Sequence, residues 1–263
     1  MKRPKGEYAI QTVSNALALL EGFANEEELG VTELSNRLDL HKNNVFRLLA
    51  TLEQAGYVEQ CQRTDRYRLG ARCLELGQSF SRNRGLLRQA RPLLEELAQE
   101  TGESIHLGVL RDFEVMHLDG EVADRLVHTG LRVGRRLPAH CTALGKVLLG
   151  CAPKGFQESY DRQVVSAGRL EARTLLTITD PSKLLEHLRM VGSQGYAVDM
   201  EECEAGLACA AAPIFDASGR VTAAVSVSGP AFRLSTELLL TKAAPLVVSV
   251  AERLSQGLGY RPA

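Results

Sequence analysis

The decapeptide VTAAVSVSGP, residues 221–230, sets Ser226 and Ser228 two apart in an otherwise apolar run. Successive side chains of a strand point to opposite faces. Val221, Ala223, Val225 and Val227 therefore share one face, and Thr222, Ala224, Ser226 and Ser228 share the other. The first face is built for a core. The second, small and hydroxylated, either meets water or lines a pocket for a small polar molecule. A second chemically equipped stretch is HKNNVFRLLATLEQAGYV, where Lys42, Asn43, Asn44 and Arg47 open a helical stripe of Val45, Leu48, Leu49 and Leu52. In a major groove Asn pairs bidentately with adenine, and Arg or Lys with guanine.

These residues need elements to hold them. In IQTVSNALALLEGF, Ile10, Val13, Leu17, Leu20 and Ala24 recur at steps of three and four, which predicts an amphipathic helix. VTELSNRLDL predicts a short helix capped by Thr32, with Leu34 and Leu38 on one face. Gly56 sits where a helix-terminating glycine belongs. YVEQCQRTDRYRLG then reads as a hairpin around Val58 and Tyr67. Two helices, a tight turn and a hairpin make a winged helix–turn–helix, with Arg63, Arg66 and Arg68 on the wing suited to phosphates or the minor groove.

Leu69, Cys73, Leu76 and Phe80 continue as a helical stripe, SRNRG interrupts it, and Leu86, Ala90, Leu93 and Leu97 resume it, with the break at 82–86. From Ser104 the period changes. SIHLGVL and FEVMHLDG predict a hairpin turned at RDF, and ALGKVLLG a short helix. DPSKLLEHLRMVGSQG is a helix capped by Asp180, with Pro181 first and Gly195 past its end. YAVDM, ACAAAPIFDASG and VTAAVSVSG are strands, the last two a hairpin, and a long closing helix bends at Pro245. Hairpin-linked strands mixed with helices predict an α+β domain.

Composition sets outer limits. The 263 residues carry a formal net charge of −1, so attraction to nucleic acid or membrane must come from a local patch. Residues 1–70 hold nine Lys/Arg against ten Asp/Glu. The cations gather in the arm (Lys2, Arg3, Lys5), the second helix and the wing, whereas Glu26, Glu27 and Glu28 share a loop. No apolar run is long enough to span a bilayer and no apolar signal core opens the chain, which places it in the cytoplasm with no membrane partner. Six cysteines without CxxC spacing imply free thiols in a reducing compartment.

The chain resembles the IclR family of bacterial transcriptional regulators. The likeness rests on LSNRLDLHKNNVFRLLATLEQAGYV, LPAHCTALGKVLL and GYAVDMEECEAGLACAAAPIFDASGRVTAAVSVSGP. It implies an N-terminal winged helix–turn–helix domain (1–70), a linker helix used in dimerisation (71–85) and a GAF-like α/β effector-binding domain (86–263). The implied partners are double-stranded DNA with a palindromic operator, a small organic-acid effector and further copies of the chain, as a dimer or dimer of dimers; no cofactor is implied. Carried onto this chain, the effector residues are Asp199, Cys209, Ser226 and Ser228, the backbone amides of Ala143 and Leu144, and apolar walls at Leu126 and Leu207. Thr129 stands where some members carry a larger apolar side chain, which makes this pocket roomier or more polar.

The pocket chemistry follows. A helix starting at Thr142 aims free N–H groups at whatever lies before it, a ready site for a carboxylate. An ionised Asp199 only accepts hydrogen bonds and repels a second carboxylate, so it suits a ligand hydroxyl. The expected ligand is a small carboxylate with a polar far end. Against this stand an enzyme using Cys209 or His140, a metal site from His140, Cys141, Cys203 and Cys209 that lacks ligand spacing, and a ligand sensor that ignores DNA. His106 and His117 lie in strands and are expected to be satisfied core or surface histidines.

Overall fold

The computed structural model describes residues 9–24, 26–83 and 85–261. Two compact units divide the chain, Met1–Arg84 and Gly85–Ala263. The basic arm Lys2, Arg3 and Lys5 lies outside the described residues.

The first unit opens with α1 (Gln11–Glu21). Its core contacts are Leu19 and Phe23, with Ala16 and Leu20 beside them. The stripe of Ile10, Val13 and Leu17 is a correction: all three are exposed. The helix has two apolar stripes, and the one that packs on α2 (Val31–Leu38) and α3 (Lys42–Gln54) is the other. The start of α2 is also corrected. Gly30, not Thr32, is the cap residue, and the Glu33 carboxylate accepts the Gly30 amide at 2.8 Å. Asp39, in the left-handed region at φ 51°, ends α2, and Ser35 Oγ donates to the Leu40 carbonyl at 2.6 Å, which closes the turn into α3. Val45, Leu48 and Leu49 are buried as expected. Strands β1 (Val58–Gln60) and β2 (Tyr67–Leu69) pair antiparallel to form the wing, and α4 (Ala71–Asn83) follows.

The second unit begins with α5 (Gly85–Thr101). Its sheet is built from β3 (Ser104–Arg111), β4 (Glu114–Glu121), β5 (Arg136–Pro138), β6 (Ala197–Met200), β7 (Leu207–Phe215) and β8 (Val221–Pro230). The order is β5-β4-β3-β8-β7-β6, with antiparallel neighbours throughout. Asp112 and Phe113 both have positive φ, so the expected hairpin turns on two left-handed residues, as a two-residue loop between twisted strands requires.

Alternation along the strands decides what each face meets. Ile105, Leu107, Ala210, Val225 and Val227 pack on Leu94 and Leu97 of α5 and on Val247, Ala251 and Leu254 of α10 (Ala244–Gly257). Cys209, Ala211 and Ala224 turn to the opposite face, under α6 (Ala143–Gly150) and α8 (Pro181–Gln194). Between α6 and α8 lies α7 (Lys154–Tyr160), which periodicity missed, as it missed β5. The Asp180 carboxylate caps α8 by accepting the Lys183 amide at 3.0 Å, and Gly195 ends it at φ 78°. The expected closing helix forms in consecutive segments. A short α9 (Thr236–Leu238) runs into a wide turn over Leu239–Ala243, and Pro245, which has no amide to donate, falls in the first turn of α10.

Candidate functional site

Two cross-strand rows organise the face under α6. Asp199 pairs with Cys209, Cys209 with Ser228, and Ser228 with Ser104. One step along the strands, Ala211 pairs with Ser226, and Ser226 with His106. The hydroxyl face of β8 therefore points inward. Ser226, Ser228, Cys209 and Asp199 are all buried.

The N-terminus of α6 closes over these rows. Thr142 Oγ1 accepts the Gly145 amide at 3.1 Å and donates to the Pro138 carbonyl at 3.2 Å. The first-turn amides of Ala143 and Leu144 have no acceptor within the helix. Close approach is enforced at Gly145, where a Cβ would lie 2.2 Å from the Ala139 carbonyl oxygen.

Between helix tip and sheet is a cavity of about 40 Å³. That is room for roughly three waters or one very small ligand. Eight expected residues line it: Thr129, Ala143, Leu144, Asp199, Leu207, Cys209, Ser226 and Ser228. Leu126 is a correction, because it is fully exposed and does not line the cavity. The loop is anchored on either side of it, by Arg125 to the Gly102 carbonyl at 2.7 Å and by Thr129 Oγ1 to the Ser228 carbonyl at 3.0 Å. Between these anchors Leu126 turns to solvent.

The structure adds residues that sequence reasoning missed. His106, His117, Arg132, Leu137, Thr142 and Cys203 complete the lining. The expectation that the two histidines are satisfied is overturned: Nδ1 of His106 and both ring nitrogens of His117 are buried without a hydrogen-bond partner among the described residues. Behind the site, the Lys146 ammonium of α6 is wholly buried against the Glu202 carboxylate and donates to the Val198 carbonyl at 3.1 Å. The turn after β6 is clamped from outside by Thr177 and Thr174, whose hydroxyls donate to the carbonyls of Glu202 at 2.6 Å and Glu201 at 2.7 Å. A Lys inside the otherwise apolar ALGKVLLG was the one visible signal of this support.

Asp199 Oδ1 accepts the amides of Glu202 at 2.8 Å and Cys203 at 3.4 Å. Burial nonetheless pushes its carboxyl up to about 7, opposed by the Glu202 amide and the charge of Lys146. Near neutrality a protonated Asp199 is thus accessible and can donate a hydrogen bond, where sequence reasoning saw a permanent acceptor.

The rival chemistries find little support. His140 Nε2 is paired with the Glu171 carbonyl at 2.9 Å, away from the cavity lining. A hydrogen bond to the Cys203 thiol and burial push Cys141 up, and burial pushes Cys209 up. Thiols in that state are poor nucleophiles. Among the described residues no three His, Cys, Asp or Glu side chains are grouped to hold a metal.

In the first unit Lys42, Asn43, Asn44 and Arg47 are all exposed at the start of α3, beside Phe46, an exposed ring that sequence reasoning passed over. The wing cations divide. Arg66 is bound to the Glu33 carboxylate at 2.6 Å and the Glu28 carbonyl at 3.1 Å, and Arg68 to Glu59 at 2.6 Å. Among the described residues no carboxylate pairs with Lys42, Arg47 or Arg63.

Comparison with known proteins decides the lineage. The family model described as "Bacterial transcriptional regulator IclR C-terminal" matches residues 78–256, and the "IclR helix-turn-helix domain" matches residues 12–61. The chain belongs to the IclR family. It is 35% identical to the HTH-type transcriptional regulator BhcR of Paracoccus denitrificans, over 96% of this chain and 88% of that protein. The crystal structure of a putative transcriptional regulator from Rhodococcus superposes with a TM-score of 0.84 at 31% identity, over 95% of this chain and 98% of that one. An IclR homologue from Microbacterium hydrocarbonoxydans, complexed with 4-hydroxybenzoate, superposes with a TM-score of 0.81 at 25% identity, over 94% and 98%. This IclR-family regulator thus joins a DNA-binding helix–turn–helix to a C-terminal effector domain, and no described helix is long and apolar enough to cross a membrane.

Proposed function

We propose that this IclR-family protein is a transcription factor whose operator binding is set by a small carboxylate held in the cavity under α6. The observation that carries this reading is the meeting of a helix N-terminus with Asp199, Cys209, Ser226 and Ser228 around one small cavity. The ligand carboxylate accepts the amides of Ala143 and Leu144, and the helix field favours its charge. Ser226 and Ser228 donate or accept at its flank. The Microbacterium homologue's complex with an aromatic hydroxy acid supports the ligand class. The size of the cavity favours acids of few carbons.

Lys42, Asn43, Asn44 and Arg47 read base edges in the major groove, and Arg63 contacts phosphate from the wing. Residues 1–70 form the DNA-binding domain, 71–85 the linker and 86–263 the effector domain. Two copies present two recognition helices to a palindrome. Effector binding shifts the balance between arrangements that space those helices differently, by its difference in affinity for the two.

The test combines calorimetric titration of the full chain against a panel of small acids with gel shifts on the adjacent intergenic DNA. An acid that binds, loses affinity in Ser226→Ala and Asp199→Ala, and alters the shift supports the reading. An acid that alters the shift while both variants bind it unchanged removes this cavity from the mechanism.

A further inference from the structure

The two cavity imidazoles have no part in the carboxylate site just described. His106 is 4% exposed and His117 is 5% exposed. Their rings meet edge to face with centroids 5.2 Å apart, and both line the cavity. Three of their four ring nitrogens are buried and have no partner among the described residues. Buried polar atoms in that state are rare and costly in folded proteins. Two aromatic hydrocarbons would fill the same space without that cost.

Their protonation state says what they can bind. Burial pulls His106 down to about 3 and His117 to about 4, with the Arg132 charge acting in the same direction on both. Each ring is therefore neutral at neutral pH and offers one N–H donor and one bare acceptor nitrogen. A carboxylate or a ketone only accepts, and leaves the acceptor nitrogens unmet. A methyl group meets neither. A hydroxyl donates to one ring and accepts from the other. Arg132 lines the same cavity, but Glu204 holds its guanidinium at 2.6 Å, so it is not an uncommitted cation awaiting a second carboxylate.

We propose that His106 and His117 read a hydroxyl group on the effector, which makes the ligand a small hydroxy acid rather than a plain, keto or dicarboxylic one. The inference rests on the acid-binding reading above. The carboxylate occupies the Ala143 and Leu144 amides, and the hydroxyl reaches the imidazole pair.

Matched acids test it. Glycolate with acetate, lactate with propionate and 3-hydroxybutyrate with butyrate are titrated into the full chain at neutral pH by calorimetry, with pyruvate and succinate as keto and dicarboxylic controls. At least one hydroxylated member should bind about tenfold or more tightly than its partner, since a site built for a hydroxyl rejects the analogue that lacks it. His106→Phe and His117→Phe should collapse the ratio of the two affinities within a pair, whatever they do to the absolute values, and His106→Asn and His117→Gln should restore part of that ratio. Equal affinities within every wild-type pair, or a preference that survives both Phe substitutions, would overturn the proposal and leave the carboxylate site standing, with water meeting the imidazoles. If no acid of either kind binds, the carboxylate reading falls and this proposal falls with it. Should the Phe variants fail to fold, the wild-type pairs still decide.

Discussion

Lys146 and Glu202 form a buried ion pair behind the cavity lining, one on α6 and the other in the turn after β6, and the lysine has no exposed surface at all. This pair ties α6, whose tip closes over the cavity, to the segment that carries Asp199. Removing one partner strands the other charge in the interior, at a cost of about 3–5 kcal/mol. Lys146→Met should lower stability by that order in a urea titration. Lys146→Met combined with Glu202→Gln should recover a large part of the loss. A double variant as unstable as the single one would mean that the pair supplies shape rather than charge compensation.

Asp199 links stability to pH with a definite sign. Its folded value of about 7 lies above the 3.8 of an unperturbed carboxyl, so the folded chain holds the extra proton between those values. That stabilisation is complete below about 4 and is lost as pH rises through about 7. His106 and His117 act in the opposite sense. Both are depressed below 6.5, so their contribution is present above 6.5 and is lost as pH falls toward about 4 and 3. Asp199→Asn keeps an oxygen for the Glu202 amide and deletes only the carboxyl titration. The stability of the variant minus that of the wild type should therefore climb between pH 4 and 7, by a few kcal/mol at most given about 1.4 per pH unit. A flat difference would show that Asp199 is ionised throughout.

The arginines of α3 and the wing should separate by experiment. Arg47→Ala and Arg63→Ala are expected to weaken operator binding, and the loss of a phosphate contact should reduce the salt slope by about one. Arg66 is occupied by Glu33, which also caps α2. Arg66→Ala should therefore lower the stability of the first unit only slightly, as for any exposed pair, and leave the salt slope nearly unchanged. Gel shifts across a salt series, beside thermal melts, distinguish the two.

Much of this was legible in the sequence because local chemistry spells it out. Asp180, Pro181 and Gly195 mark the ends of α8, and the two-residue alternation of β8 places Ser226 and Ser228 on one face. Alternation says which side chains share a face, but not whether that face is filled. Alternation therefore marks His106 and His117 only as strand residues, whereas the space that leaves them unpartnered among the described residues is lined by Ala143 and Leu144 of α6 and by Thr129 and Arg132 of the 122–135 loop. Leu126 failed for a related reason. Its place was inferred by likeness of sequence, while the path of its loop is set by anchors at Arg125 and Thr129. Short elements such as β5 carry too few residues for any period to show.

The first helix shows the same limit and yields a last prediction. Two apolar stripes run along α1. Leu19 and Phe23 are buried in the first unit, whereas Ile10, Val13 and Leu17 remain 53–65% exposed. Single exposed apolar residues need no explanation, but three spaced at i, i+3 and i+7 form a continuous helical face. Within the proposed function, a second copy is the occupant that such a face calls for, because a palindrome demands two recognition helices. Val13→Glu with Leu17→Glu should then lower the oligomer size seen by light scattering or weaken operator binding, with the helix content by far-UV circular dichroism unchanged and the melt lowered only by the loss of the partner. An unchanged particle and an unchanged gel shift would assign dimerisation to other surfaces, such as the exposed Leu74 and Leu76 of α4.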